Sequence, residues 1–291
     1  MLKGMVHLLS RAATKKLLEP KRAKKFDAQT RPFVHRTPSG HIFELWPTEY
    51  VDRYSAVEGI FERPFVNYVK SMLPKNSVML DIGANIGNHA IFLAAGCREI
   101  HCFEPNPKVA ERLRRNIAHN DLTKRITVHE YGLGDRDEVL TFAENCDGNL
   151  GASKFVKAGE EFGPKQRAMH LEVKSASSAI DGLNLDRIDF IKVDVEGMEE
   201  AVLTSLKPII SRHRPIVAFE HHEQSVSSGT FARIKSIFEN YEFMEPTFAP
   251  DGSAKEKLMW YLRHDGEAQL IAVVEPERRT YENILAFPQA R

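Results

Sequence analysis

The sequence predicts an α/β fold, in which helices cover both faces of a doubly wound, mostly parallel sheet that closes with an antiparallel hairpin near the C-terminus. Two observations support this fold class. Short apolar runs alternate along the chain with stretches of helical periodicity, and several of these runs stop at an acid, a histidine or a glycine. Ligands bind such sheets outside the carboxyl ends of the strands, so the polar stops mark the expected functional site.

The stretch from Val78 to Ala90 organises the rest of the chain. Its apolar part, 78–82, has the length of a buried strand, and the residues after Gly87 have helical composition. Gly83 and Gly87 have no Cβ, so the backbone can adopt a positive φ and a ligand can approach the helix N-terminus closely. The sequence therefore predicts a nucleotide-type site at this turn.

Asp81 indicates which cofactor suits the turn. The G-x-G-x-x-G pattern of dinucleotide folds, aligned on Gly83, requires glycines at the positions of Asp81 and Ile86. An NAD-dependent enzyme is therefore disfavoured, because a carboxylate at Asp81 would repel a pyrophosphate. A ligand that carries an ammonium and a sulfonium and no phosphate, such as S-adenosylmethionine, suits this carboxylate.

A second acid follows at the distance expected for ribose recognition. The next strand ends at 101–103 and leads into Glu104, 21 residues after Gly83. An acid about 20 residues beyond the glycines is placed to accept hydrogen bonds from ribose hydroxyls. Asn106 is expected to cap the following helix, with Pro107 at its first position.

The elements before residue 131 follow from turn signals and periodicity. A turn at 37–40 predicts a hairpin over 33–44, and the run 126–131 predicts the third parallel strand. A helix over 58–73 is predicted by apolar residues four apart: Phe61, Phe65, Val69 and Leu73. The helix after Asn106 has a buried stripe of its own: Val109, Leu113 and Ile117.

The second half of the chain continues the alternation. A hairpin is predicted from the runs 139–143 and 169–173, joined by a long polar segment, 144–168. Loops of this length are usually functional or mobile, so the segment is either a lid over the acceptor or a mobile surface loop. Further strands are predicted at 188–193 and 215–219 and, as a closing antiparallel pair, at 258–263 and 269–274. Helices are predicted after Gly197 and over 231–238.

Four motifs resemble the FkbM-type S-adenosylmethionine-dependent methyltransferases: Leu80–Gly87, Phe103–Pro107, Phe190–Gly197 and the closing Asn283–Pro288. They occur in the family's order. The resemblance implies a class I methyltransferase with a Rossmann-like sheet, whose family acceptors are hydroxyls of sugars and secondary metabolites. It divides the chain into an N-terminal basic extension and lead-in segment, 1–55, and an FkbM-like methyltransferase domain, 56–291.

The resemblance and the turn chemistry together give a set of predicted cofactor-binding residues. The Gly-x-x-Glu of 59–62 resembles the family's segment over the cofactor, so Glu62 either meets the methionine ammonium or is an exposed helix acid. Asp135 either binds the adenine amino group or is a turn acid. The full set is Glu62, Asp81, Gly83, Ala84, Asn85, Gly87, Asn88, Glu104, Pro105, Asn106 and Asp135.

The predicted catalytic residues are Asp194, His221 and His222, at the ends of the fourth and fifth strands. A neutral histidine is the simplest base for a hydroxyl acceptor, helped here by Asp194. Since strand residues alternate between faces, one of the two histidines is expected to be structural. A Mg²⁺ held by Asp194, Glu220 and His222, as in catechol O-methyltransferase, ranks lower. Glu196 is expected either beside the acceptor pocket, with Asp194, or as an acid stabilised at a helix N-terminus, which is a strong alternative. No metal ligand is predicted.

Composition limits the partners. Forty basic and forty acidic residues cancel, so nucleic acid is not expected as a substrate. No run of 18 apolar residues exists, so no membrane span is expected. Three cysteines without C-x-x-C spacing favour free thiols in a reducing compartment, and we expect a cytoplasmic protein. Residues 1–25 carry a charge of +7, which predicts either a basic helix with weak contact to an anionic membrane surface or, as favoured, a solvated tail.

The sequence therefore predicts an S-adenosylmethionine-dependent methyltransferase that methylates a hydroxyl of a sugar, a glycan or a small metabolite. Two alternatives stay open. An N- or protein methyltransferase uses the same fold, and a catalytically silent S-adenosylmethionine-binding module would keep the cofactor motifs without a working acceptor pocket. The sequence makes no prediction about oligomeric state.

Overall fold

The computed structural model of the chain describes residues 18–148, 150–156, 162–221, 229–248, 256, 268–275 and 280–290. Its α-helices are α1 (Glu19–Asp27), α2 (Tyr50–Glu58), α3 (Arg63–Met72), α4 (Asn88–Leu93), α5 (Pro107–His119), α6 (Ala176–Asp181), α7 (Glu199–Ser205), α8 (Lys207–His213) and α9 (Thr230–Lys235). The first strands are β1 (Phe33–Arg36), β2 (Ile42–Leu45), β3 (Ser77–Ile82), β4 (Cys97–Phe103), β5 (Ile126–His129), β6 (Gly132–Gly134) and β7 (Glu138–Asn145). The others are β8 (Lys154–Phe155), β9 (Gln166–Ser175), β10 (Phe190–Val193), β11 (Ile216–His221), β12 (Tyr241–Thr247), β13 (Gln269–Ala272) and β14 (Tyr281–Pro288).

The central sheet has eight strands in the order β13-β12-β14-β11-β10-β3-β4-β5. The five strands from β11 to β5 are parallel to one another, and β14 lies antiparallel between β11 and β12. Within this sheet, the first strand along the chain is β3, near the middle. The next strands, β4 and β5, are added on one side of it, and β10 is then added on the other side. This is a doubly wound sheet whose order reverses between β3 and β10, where such sheets bind ligands. The predicted fold class is confirmed.

The two strands in the middle of this sheet, β3 and β10, are buried along their whole length, as their continuous apolar runs predict. One face packs Met79 and Phe190 into a first apolar core, and the other packs Leu80 and Ile191 into a second. The register pairs Lys192 of β10 with Asp81 of β3. Because residues alternate along a strand, these two polar side chains lie on the face of the first core.

The segment before β3 differs from the predicted single helix over 58–73. The helix α2 ends at Glu58, and α3 begins at Arg63. Gly59, with a left-handed φ of +100°, ends α2, and Glu62, with a left-handed φ of 51°, directly precedes α3. The apolar spacing was correct for the buried Phe65 and Val69, but it does not detect this break.

Four strands form a second sheet, separate from the central one, in the order β6-β9-β7-β8. The predicted hairpin is confirmed, since Leu140 pairs with Leu171 in an antiparallel register. The long connection of this hairpin contains β8, which folds back onto β7, so its described part is ordered. The predicted hairpin over 33–44 is likewise confirmed by β1 and β2.

Two predicted regions fall partly outside the described residues. The run 269–274 forms β13, which pairs with β12, while its predicted partner, 258–263, lies outside the described residues. Most of the basic stretch 1–25 lies outside them too, and α1 begins at Glu19. Within the described part of the chain, no helix is long and apolar enough to cross a membrane.

Candidate active site

The turn after β3 requires both of its glycines. Gly83 has a φ of +84°, and a Cβ there would lie 1.7 Å from the carbonyl oxygen of Asp194. Gly87 has a φ of +89°, and its Cβ would lie 2.5 Å from a methyl of Leu113. The amides of Gly83 and Ala84 donate to the carbonyl of Phe103, at 3.0 and 3.1 Å. The positive φ predicted for both glycines is confirmed, but the space that their missing side chains leave is filled by Asp194 and Leu113 and not open to a ligand.

Glu104 connects the turn to the next helix. Its carboxylate accepts hydrogen bonds from the backbone amides of Asn85, at 3.1 Å, and Asn106, at 2.9 Å. Burial raises the pKa of Glu104 to about 7, although these two amides act to lower it. Asn106 caps α5 as predicted, since its side chain accepts from the amide of Lys108, and it also donates to Glu144. Glu104 is therefore placed at the carboxyl end of β4, while Pro105 lies in the turn beside it.

Asp81 is buried without a matched hydrogen-bond donor. Its side chain is 1% exposed, and neither carboxylate oxygen has a hydrogen-bond partner of normal geometry among the described residues. Burial raises the pKa of Asp81, and His89, Lys192 and the amide of Ala90 act against that shift. A buried carboxylate without donors is costly, so this position suits a ligand that brings positive charge or hydrogen-bond donors.

Glu62 joins the same polar cluster from the segment between α2 and α3. Its carboxylate lies 2.7 Å from Nε2 of His89 and accepts from the side-chain amide of Asn283 at 2.7 Å. Burial alone would raise the pKa of Glu62, but the hydrogen bond with His89 and the charge of Lys192 outweigh it and lower the pKa to about 2. The interpretation of Glu62 as an exposed helix acid is therefore wrong.

Asn88 and Asp135, two predicted cofactor residues, have other partners in the structure. The side chain of Asn88 donates to the carbonyl of Phe61 and accepts from its amide, both at 3.1 Å, and so holds the segment that carries Glu62. The side chain of Asp135 is 52% exposed and lies 3.9 Å from that of Arg136. This is the environment of a surface turn acid, the alternative given for Asp135 above.

Lys192 is a functional residue that the sequence reasoning missed. It is 1% exposed, and its ammonium donates to Asp194 at 2.7 Å. Burial alone would lower the pKa of Lys192, but the carboxylates of Asp194, Glu62 and Glu220 raise it further than burial lowers it. The detectable signal was a lysine inside an otherwise apolar strand, because a buried lysine needs a carboxylate partner.

Three more acids lie near the carboxyl ends of β10 and β11. Burial raises the pKa of Glu196 to about 7, with further contributions from Asp194 and Glu199. Burial, with Asp194 and Glu196 nearby, also raises the pKa of Glu220, to about 9. The carboxylate of Glu199 accepts from the amides of Val195, at 3.2 Å, and Gly197, at 3.1 Å. Glu199, and not Glu196, is thus the acid that binds the backbone at the start of α7.

The two predicted histidines separate. His221 is 2% exposed, and its ring packs 5.4 Å from Phe231 and 6.5 Å from Tyr281, with the second core on the face opposite Asp81 and Lys192. This location does not support His221 as a base for a substrate hydroxyl, because strand alternation turns it away from the polar cluster. His222 lies outside the described residues, and its role stays a prediction.

The described residues contain no group of three His, Cys, Asp or Glu side chains placed to hold a metal ion. The lower-ranked magnesium site included His222, so this finding covers only its other members, Asp194 and Glu220. Negative charge dominates the cluster instead. Six carboxyl groups influence one another's pKa or the pKa of the buried Lys192: Glu62, Asp81, Glu104, Asp194, Glu196 and Glu220. Such a site favours a cationic ligand.

The segment predicted as a lid contacts the lead-in segment. The amide of Leu150 donates to Glu49 at 2.7 Å, and a Cβ at Gly148 would lie 2.3 Å from the carbonyl oxygen of Thr48. Leu150, Gly151 and Asn85 line a narrow cleft together with Asp52 and Arg112, whose side chains pair. The described part of the segment therefore reaches the turn 83–87, the predicted cofactor turn.

Comparison with known proteins gives a consistent result. The family model described as the methyltransferase FkbM domain matches residues 81–244, more than half of the chain. Methyltransferase 1 of Beauveria bassiana is 27% identical over 224 residues, covering 71% of this chain and 88% of that protein. The 2-O-methyltransferase NoeI of Sinorhizobium fredii is 29% identical, over 55% and 70% of the two chains. The hexuronic acid methyltransferase AglP of Haloferax volcanii is 25% identical, over 56% and 63%.

Proposed function

The chain belongs to the FkbM methyltransferase family, and from that membership we propose that it transfers the methyl group of S-adenosylmethionine to a hydroxyl oxygen of a sugar, a glycan or a small metabolite. When bound, this cosubstrate supplies an electrophilic methyl on a positively charged sulfur. The protein must then bind the cation, align the acceptor oxygen with the methyl and accept the hydroxyl proton.

The buried carboxylate of Asp81 is the observation that carries this proposal. It lies at the carboxyl end of β3, beside the switch point of the sheet, with no hydrogen-bond partner of normal geometry for either oxygen in the described part of the chain. A phosphate ligand would be repelled there, whereas an ammonium or a sulfonium would lower the energy of the carboxylate. The residues present therefore fit S-adenosylmethionine and not a dinucleotide.

The other cofactor residues have distinct tasks in this proposal. Glu104 offers its remaining lone pairs to ribose hydroxyls while its two amide bonds hold the turn. Gly83 and Gly87 adopt the positive φ values that shape the turn beside the ligand. Glu62, ionised and held by His89 and Asn283, adds negative charge on the side of the methionine ammonium.

Oxygen is the proposed acceptor atom for two reasons. Two similar proteins are named as a 2-O-methyltransferase and a hexuronic acid methyltransferase. The ends of β10 and β11 also carry several acids that could accept a proton, which a hydroxyl requires and a neutral amine lone pair does not. Asp194 and His222 stay predicted members of this group.

The equal numbers of acids and bases support a small or glycan acceptor over nucleic acid. The free thiols of Cys97 and Cys102 support a cytoplasmic setting.

The test has two stages. Calorimetric titration with S-adenosylhomocysteine, with and without Mg²⁺, should give saturable binding that ignores the metal. Radiolabelled methyl transfer from S-adenosylmethionine to a panel of methyl glycosides, with neutral sugars and hexuronic acids, should then label a hydroxyl. Labelling of amines or of protein alone would replace the hydroxyl by the N- or protein-methylation alternative. Binding without any transfer would favour a silent binding module, and no binding would contradict the proposal.

A further inference from the structure

The backbone at Glu196 is held in an uncommon conformation. Glu196 has a φ of 48°, and Gly197 follows with a φ of +99°. A left-handed conformation is unfavourable for a residue with a Cβ, and such residues cluster at functional sites. Glu199 holds the loop in place, because its carboxylate accepts from the amides on either side of Glu196, those of Val195 and Gly197.

This loop is next to the cofactor turn. Asp194, two residues before Glu196, places its carbonyl oxygen against Gly83, where no side chain fits. The β10 strand that ends there is the parallel neighbour of β3. A loop that starts at this point lies at the end of the sheet where the cofactor turn also lies, so a side chain on it is close to the reacting groups.

We infer that Glu196 is the carboxylate that accepts the proton of the acceptor hydroxyl, an inference that rests on the proposed methyl transfer. As the acceptor oxygen forms its bond to the methyl carbon, the carbon–sulfur bond breaks and its electron pair stays on sulfur. The hydroxyl proton moves to the Glu196 carboxylate and leaves to solvent after the product departs. No further oxidant, reductant or metal is needed for the balance.

The other groups at these strand ends have different tasks. Asp194 accepts from Lys192, and Glu199 is engaged with two amides. His221 is enclosed by aromatic rings on the opposite face. Burial and the nearby Asp194 and Glu196 raise the pKa of Glu220, which favours its protonated form and makes it less suited to accept a proton. Glu196 is only partly buried, which leaves its carboxylate access to a substrate.

The charges around Glu196 come from three elements. Asp194, at the end of β10, and Glu199, at the start of α7, raise its pKa, and Lys192 of β10 and Lys154 of β8 lower it. Burial is the largest contribution, and the resulting pKa of about 7 is close to the value at which a general base works best near neutral pH. Glu220, on β11, feels the charge of Glu196 in turn.

The test compares E196Q with E200Q, a control that removes a carboxylate four residues along the chain. Glu200 pairs with Arg233 at the surface, outside the cluster.

E196Q should lower kcat by about 100-fold or more, within the range for loss of a general base. Its dissociation constant for S-adenosylhomocysteine should stay within about twofold of wild type, as expected for a residue that acts on the acceptor. The wild-type rate should rise with pH through about 7, and the residual rate of E196Q should lose that dependence. Equal rates of E196Q and E200Q, or an unchanged pH profile, would overturn the assignment.

A second measurement needs no acceptor. In protein with ¹³C-labelled glutamate carboxyl groups, Glu104 and Glu196 should both titrate near neutral pH, and one of these two resonances should be missing from E196Q. A Glu196 carboxyl that is fully ionised at pH 5 would overturn the inference even if methyl transfer is demonstrated. Failure of the proposed function looks different, since the wild-type protein itself would then methylate no hydroxyl while the Glu196 resonance would still titrate near neutral pH.

Discussion

Gly83 packs so closely against Asp194 that a Cβ on Gly83 would lie 1.7 Å from the Asp194 carbonyl oxygen. The contact joins the end of β3 to the end of β10, the two strands between which the sheet reverses its order. The turn 83–87 and the loop 194–198, which carries Glu196, are therefore in direct backbone contact. A side chain cannot be added between them without moving one of the two strand ends.

Gly83→Ala should destabilise the protein strongly, by about 2 kcal/mol or more, because it combines a positive φ with a clash against backbone. Gly40→Ala is the matched control, since Gly40 has a φ of +93° and nothing within 4 Å of an added Cβ, so it should cost about 1 kcal/mol. Urea unfolding measures both changes. Equal losses of stability would mean that the turn and the Asp194 loop can separate cheaply.

Glu104→Gln should weaken S-adenosylhomocysteine binding by about tenfold or more, because hydrogen bonds to a charged acceptor contribute roughly 1.5–3 kcal/mol. The amide nitrogen of glutamine cannot accept from either Asn85 or Asn106, so the turn loses one of its two backbone bonds as well. Glu130→Gln is the control, because Glu130 is exposed and pairs with Arg114 at the surface. Calorimetric affinities within twofold of each other for the two variants would contradict the ribose role.

Glu62 should make stability depend on acid pH. Its pKa is lowered to about 2 from an ordinary 4.5, so its contribution is fully present above about pH 4.5 and is lost as pH falls through 2. The contribution is about 3 kcal/mol at most by this linkage. Glu62→Gln should therefore lower the free energy of unfolding more at pH 7 than at pH 3, whereas Glu130→Gln should change it equally at both. A pH-independent loss would show that His89 and Asn283 hold Glu62 without favouring its charge.

His221→Phe should lower turnover by less than about tenfold, because the ring is enclosed by Phe231 and Tyr281 and phenylalanine fills a similar volume. The measurement is the initial rate of methyl transfer, alongside circular dichroism to confirm folding. A hundredfold or greater fall in the rate of methyl transfer by a folded His221→Phe protein would support His221 as the base. It would also require the His221 side chain to move to the other face of the sheet.

Glu49→Ala should release the segment around Leu150, because it removes the acceptor of the 2.7 Å bond from the Leu150 amide. Hydrogen exchange at 150–153 should become faster by about tenfold or more, since one lost bond is worth about 1 kcal/mol or more. Exchange in α8, which contributes no residue to the cleft that Glu49 and Leu150 line, serves as the internal control. Unchanged exchange at Leu150 would mean that the packing of Gly148 against Thr48 is sufficient to hold the segment.

The sequence was informative where a structural feature is local. The strand and turn at 78–87, the Asn106 cap and the 139–173 hairpin are read from neighbouring residues, and all three are confirmed. The partners of Glu62 are not local, since Asn283 is 221 residues away, and the left-handed break before α3 gives no periodic signal. The face of His221 was undecidable because it depends on where β11 ends, and the structure puts its ring on the face opposite the acids.

The division of the chain into two sheets has an evolutionary consequence. The carboxylates proposed to hold the cofactor belong to the eight-stranded sheet and the segment before it, while Lys154 reaches Glu196 from the small second sheet. A substitution at Lys154 would adjust the proton affinity of Glu196 and leave the carboxylates proposed to hold the cofactor unchanged. Related chains can thus adjust the proposed base without changing the carboxylates proposed to bind the methyl donor.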